Sequence, residues 1–158
     1  MSKKFISFLT FVLLTILVSL VLLFMRTQDS IYRAEDEAVK LISYDFKVED
    51  VNKFYWSTTD KTYFAVDFID DKGQQHYAII TQEGGETNYY TKDEIITEDE
   101  ATSIVLYDMH PDKIVQMRLA QINQEPIWEA TIKNNNGTIT YYIISAKDGT
   151  WIQTIENI

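Results

Sequence analysis

Hydrophobic and polar positions divide this chain into three kinds of pattern. Residues 5–25 run without a charge, a proline or a glycine. From residue 31, apolar side chains recur every three or four positions (Ile31, Ala34, Ala38, Leu41, Ile42), which predicts a helix over 31–45 with one apolar face. The same spacing returns in Ala101, Ile104 and Val105. Elsewhere the period is two. Trp128, Ala130 and Ile132 alternate with Glu129 and Thr131, and Phe64, Val66 and Phe68 alternate with Ala65 and Asp67. That period predicts strands with one buried face and one wet face. Further strands are expected near 51–58, 75–82, 86–91, 113–121, 138–146 and 150–155. Turn sequences at 70–73, 83–85, 134–137 and 147–149 each end in glycine and separate them.

Much of this pattern occurs twice. Ala34-Glu35-Asp36-Glu37-Ala38 returns 63 positions later as Ala101 and the Glu98-Asp99-Glu100 before it, and Tyr44-Asp45 returns as Tyr107-Asp108. At an offset of 64, Gly73, Tyr77, Ile79, Ile80 and Gly85 match Gly137, Tyr141, Ile143, Ile144 and Gly149. A fixed repeat decides the architecture before any single residue does. Each copy reads as one helix followed by three or four antiparallel strands, and the helix is expected to cover the sheet's apolar face. Units of this size are marginal alone, so the two are expected to pack together. The fold class is therefore α+β, with units at 26–95 (including a short connector) and 96–158. Thr97 and Glu100 have capping-box spacing, so the doubled Glu-Asp-Glu is read as a helix start and not as a metal site.

The 21 residues of 5–25 would reach roughly 31 Å as a helix, matching the hydrocarbon core of a bilayer. The segment is longer than the apolar region of a cleaved signal and has no small-residue cleavage site nearby. The expectation is an uncleaved transmembrane helix after a cytoplasmic tail at 1–4. Lys3 and Lys4 then place the N-terminus inside and residues 27–158 extracytoplasmic, as a single-pass cell-membrane protein.

Charge and composition narrow the function. All 24 Asp and Glu and 11 of the 14 Lys and Arg follow residue 26, so that region carries 11 − 24 = −13. Nucleic acid, whose binding rests on basic side chains, is excluded as a partner. Without cysteine there is no disulfide, thiolate or cysteine metal site. An exported domain of that kind suggests a Gram-positive bacterium. The two histidines, His76 and His110, lie in no zinc spacing, and no serine-hydrolase, transpeptidase or phosphate-loop motif occurs. The reading is a non-enzyme with no cofactor, no metal and no small-molecule substrate. Aromatic side chains are the distinctive chemistry. Tyr89-Tyr90 and Tyr141-Tyr142 are adjacent on strands, so one of each pair faces away from the helix, and tyrosine suits contact surfaces. Positions at which the copies differ are the first place to look for a partner. The candidate contacts are Tyr89, Tyr90, Tyr142 and His110.

A helix, then strands, then a Tyr-x-Ile-Ile-x-x-x-x-Gly hairpin resembles the PepSY-like, cystatin-like fold. With the Lys-Lys N-terminus, the apolar segment, the Ala-Glu-Asp-Glu-Ala stretch, the Trp56 strand and two such units, the whole chain resembles the TseB (YpmB) family of Firmicutes. The resemblance implies a regulator of cell-wall elongation that binds a class B penicillin-binding protein, a transpeptidase. The alternative is a PepSY-type inhibitor or sensor module acting on a protease or a membrane signalling protein. No functional residues carry over by position.

Overall fold

The computed structural model describes residues 3–156, and the side chains of 7–23 and 29–156. It forms two compact units, Met1–Glu37 and Ala38–Ile158. Helix α1 (Lys3–Ile42) begins in the first and ends in the second. Within the first unit, large apolar side chains such as Phe8, Phe11 and Leu13 are exposed. The Thr15 and Ser19 hydroxyls donate to the carbonyls four residues earlier, so their polarity is spent inside the helix.

Two sequence expectations are corrected here. Among the described residues no helix is long and apolar enough to cross a membrane. Positions 5, 6, 24 and 25 of the expected span, and all of the 1–4 tail, lie outside the described side chains. The transmembrane helix at 5–25, and the single-pass placement with residues 27–158 extracytoplasmic, are withdrawn on that finding. The second correction concerns Glu35-Asp36-Glu37. These residues lie inside α1 and not at a helix start, because the connector 27–33 contains no proline or glycine and is helical throughout.

Ala38–Ile158 holds the repeat. α1 ends at Ile42, with Ala38 and Ile42 buried, and a turn follows in which the Phe46 N–H donates to the Ile42 carbonyl at 2.9 Å. Strands β1 (Val48–Thr58), β2 (Thr62–Asp70), β3 (Gln75–Thr81) and β4 (Thr87–Thr91) form an antiparallel sheet in chain order. Helix α2 (Glu98–Met109) comes next, then β5 (Lys113–Ile122), β6 (Glu125–Lys133), β7 (Ile139–Ser145) and β8 (Trp151–Ile155) in the same order. The helix-then-four-strands repeat agrees with the α+β expectation. α2 starts on the anticipated capping box. The Glu100 N–H donates to the Thr97 hydroxyl oxygen at 3.3 Å, and the Thr97 N–H donates to the Glu100 carboxylate at 2.8 Å.

The wet faces expected of β2 and β6 are not wet. Ala65 is fully buried, and Asp67, Glu129 and Thr131 are less than a tenth exposed. On β2 the reason is that the repeats pack on each other, and on β6 Arg118 lies across Glu129 and Thr131. Tyr55, Tyr63, Ala65, Tyr77 and Ile79 of the first sheet share one core with Met117, Leu119, Ile127, Trp128 and Val105 of the second repeat. The opposite face of the first sheet carries Phe64, Val66 and Phe68, and Phe46 closes on it edge-to-face with Phe68 at 5.6 Å. A strand buried on both faces reads as a near-continuous apolar run, as Tyr63-Phe64-Ala65-Val66 does.

Candidate partner-binding surface

The repeat makes one face of each sheet directly comparable, because backbone register aligns them. Across the first sheet, Tyr55 pairs with Ala65, Ala65 with Ile79 and Ile79 with Asn88. Across the second, Arg118 pairs with Glu129, Glu129 with Ile143 and Ile143 with Gln153. The neighbouring column is Lys53, Asp67, Tyr77 and Tyr90 in one and Gln116, Thr131, Tyr141 and Ile155 in the other. The last match differs from a simple sequence offset. A bulge in β8 between its pairings with Ile143 and Ile144 absorbs one residue, so Ile155 and not Thr154 takes the place of Tyr90.

In the first repeat this face is closed by the second. The Lys53 ammonium and the Tyr55 hydroxyl both donate to the Glu98 carboxylate, at 2.6 and 2.7 Å. The Tyr55 ring meets Trp128 edge-to-face at 5.5 Å, and the Trp128 indole N–H donates to the Ile96 carbonyl at 2.9 Å. Gln121 spans the far side, accepting from the Asn88 amide at 3.4 Å and donating to the Tyr90 hydroxyl at 3.3 Å. Burial first, and then the hydrogen bond to the Glu98 carboxylate, push the Tyr55 phenol far above its ordinary range. Burial, with the carboxylates of Asp67 and the α2 start nearby, pushes Tyr77 up to about 12.

In the second repeat the same face lines a cleft of about 460 Å³. Ile143, Tyr141 and Ile155 give it an apolar floor, Arg118, Glu129 and Asp60 give it charge, and Thr58 at the end of β1 with Thr59 and Asp60 of the following turn form a wall. Arg118 donates from Nη1 to Glu129 at 3.0 Å and to the Thr131 hydroxyl at 3.4 Å, and from Nη2 to Gln116 at 2.7 Å. Its Nε is buried with no hydrogen-bond acceptor. A cleft of this volume, largely apolar with a few fixed polar groups, is the form that binding sites usually take.

The four residues chosen from sequence do not gather at this cleft. Tyr142 is 5% exposed, and its hydroxyl donates to Asp108 of α2 at 2.9 Å. Burial and that bond raise its phenol to about 12. It is a core residue and offers no free surface. Tyr90 is half-buried against Gln121 between the repeats. Tyr89 is half-buried too. It packs on Phe46 at 4.8 Å and donates to Asp45 at 2.7 Å, and burial followed by that carboxylate raises its phenol above the usual range. His110 alone is exposed. It caps α2 in the left-handed region at φ 44°, its N–H donating to the Leu106 carbonyl at 3.2 Å. Sequence reasoning missed Arg118, Glu129, Tyr141 and Ile155. The signal that could have found them is the repeat itself, in which Arg118 stands where the first copy has Tyr55.

Comparison with known proteins follows the fold. No family model matches the chain, and no curated protein matches it. Among solved structures, the chain is similar to the YpmB protein from Bacillus subtilis, with a TM-score of 0.66 at 19% identity over 77% of this chain and 95% of that one. At that identity the likeness establishes a shared fold: this chain has the fold of that protein over nearly all of that protein's length.

Proposed function

We propose that this chain is a regulatory binding protein of cell-wall elongation, acting by contact with a class B penicillin-binding protein and not by catalysis of its own. What carries the reading is a pair of facts that point the same way. The fold is that of the YpmB protein, whose family the sequence features resemble. The face by which the first repeat grips a protein surface is repeated in the second repeat as a lined cleft. A face of that kind suits a protein contact, because within this chain its equivalent already makes one.

The test is direct binding. The purified full chain is titrated against an immobilised class B penicillin-binding protein. A saturable complex at micromolar concentration or tighter is expected, unchanged when the transpeptidase is acylated by a β-lactam. Absence of a complex, with capture of a protease or a sensor kinase by the same chain, would overturn the reading.

A further inference from the structure

We infer that the cleft on the second sheet is the contact face itself, and that it receives an Asp or Glu side chain carried by the protein partner beside an apolar edge. The inference rests on the partner reading above and goes beyond it by naming the face and the recognised group.

The chain supplies its own template. In the first repeat, residues 53 and 55 lie side by side on β1 and together hold one carboxylate, that of Glu98. Register puts Gln116 and Arg118 in those two places on β5. A lysine and tyrosine pair has become a glutamine and arginine pair, still two hydrogen-bond donors, at the mouth of an unfilled face. What covers the first face is an edge strand, β5, together with the acidic start of α2. The first sheet's strands β1, β2 and β3 all contact β5. The occupant of the second face is therefore sought in the same form, an apolar strand or helix edge with an acid beside it.

Arg118 is held by one acid, Glu129, and keeps donor capacity for a second. Glu129 stands where the first repeat has Ala65, and it holds the guanidinium flat on the sheet. A guanidinium offers five N–H groups in a planar fork and can bridge two carboxylates. Glu129, Thr131 and Gln116 engage its two terminal nitrogens, and the buried Nε–H has no acceptor. Nη2 has a single acceptor, Gln116, so its second hydrogen is left for an incoming carboxylate. Around it, Ile143, Tyr141 and Ile155 supply apolar area for the rest of the contact.

The experiment measures affinity of the full chain for an immobilised class B penicillin-binding protein across a series of salt concentrations. Removing Arg118 alone would strand buried Glu129, so the variant is the neutral pair Arg118→Gln with Glu129→Gln. Ile155→Glu, at an exposed position, tests the apolar floor separately. Tyr107→Ala on the outer surface of α2 is the control. The wild type should weaken as salt rises, because an ion pair is screened. The neutral pair should bind at least about tenfold more weakly and lose most of that salt dependence. Ile155→Glu should also weaken binding about tenfold, and Tyr107→Ala should match the wild type. Melting curves establish that each variant is folded. Should the wild type bind and both folded face variants bind equally well with the same salt dependence, the face is wrong while the partner reading stands. Should the wild type not bind, both fall together.

Discussion

Tyr55 and Glu98, 43 residues apart, meet at 2.7 Å, phenol hydroxyl to carboxylate, where the first sheet meets the start of α2. Lys53 shares the same carboxylate. The three residues connect the repeats through a charge-assisted contact whose members differ in burial. Tyr55 is 4% exposed, whereas the Lys53 side chain is 46% exposed.

That difference ranks two substitutions. Tyr55→Phe keeps the ring on Trp128 and removes the hydroxyl, so it should cost about 1.5–3 kcal/mol, the worth of a hydrogen bond to a charged group. Lys53→Met removes an ion pair exposed to water and should cost under about 0.5 kcal/mol. Urea denaturation followed by tryptophan fluorescence reads both. A larger loss for Lys53→Met would contradict the account.

Gly149 separates a backbone requirement from a packing requirement. It adopts φ 73°, and a Cβ there would lie 2.3 Å from Cδ1 of Ile104 on α2. Gly137 ends the turn of the preceding hairpin at φ 86°, with open space around it. Gly137→Ala should therefore cost about 1 kcal/mol, for the left-handed backbone alone. Gly149→Ala should cost roughly 2–3 kcal/mol, because overpacking adds to it. Adding Ile104→Val, which deletes the clashing methyl, should bring Gly149→Ala back toward the Gly137→Ala value, and thermal melts of the three variants check this.

The repeat, the strands and the α2 cap were readable because each depends on local chemistry: period-two alternation, Thr97 with Glu100, and glycine at turns. What was not readable depends on long-range packing. The alternation at Ala65 and Asp67 predicts a wet face, and only the second repeat, tens of residues away, makes it dry. Tyr142 looked like a surface residue because its neighbour Tyr141 shares its chemistry, yet register turns Tyr142 toward Asp108 and Tyr141 toward the cleft. Arg118 carries no motif, and its meaning appears only when it is aligned with Tyr55. The start of the first helix was misplaced for a related reason. Glu35-Asp36-Glu37 copies a helix-start sequence but lacks the Thr that caps the second copy, and the helix runs through it.

Acid should loosen the first sheet at Asp70. Its carboxyl accepts N–H bonds from Gln74 and Lys72, at 2.8 and 2.9 Å, and lies 3.1 Å from the His76 ring nitrogen. The Gln74 N–H above all, then His76, hold it below the usual carboxylate range despite burial. A depressed folded-state value means that the folded protein binds the proton more weakly than the unfolded chain. The stabilisation is therefore complete above about pH 4–5 and is lost as pH falls through the folded-state value. Asp70→Asn should lower the melting temperature at neutral pH and flatten its decline below about pH 4. A parallel decline in both proteins would show that Asp70 does not drive it.

Alkali should act in the opposite direction, through the buried tyrosines. Burial raises Tyr77 and Tyr142 to about 12, and Tyr55 higher still. A raised folded-state value contributes stability that is fully present below about pH 10 and is lost as pH climbs beyond it. Tyrosinate absorbance should show the buried group ionising together as the protein unfolds. Tyr55→Phe should move that unfolding to higher pH relative to its own stability at neutrality, since one protonation linkage is gone. An unmoved alkaline midpoint would argue against Tyr55 as a contributor.

Because the repeats share one core, Ala38–Ile158 should unfold in one step. Trp56 reports on the first sheet, where it stands edge-to-face on Phe64 at 5.1 Å, and Trp128 reports on the shared core. Variants retaining only one of these tryptophans, with Trp151→Phe in both, each serve as the background against which their own Leu119→Ala derivative is compared. Leu119→Ala removes a fully buried side chain from β5, the strand against which the first sheet packs, and should cost about 2–5 kcal/mol. The decisive readout is where that loss is felt. In a single cooperative unit it lowers the Trp56 midpoint as much as the Trp128 midpoint, although Leu119 belongs to the other repeat. Two independent units would leave the Trp56 midpoint where it was, and the shared core would then be a contact without coupling.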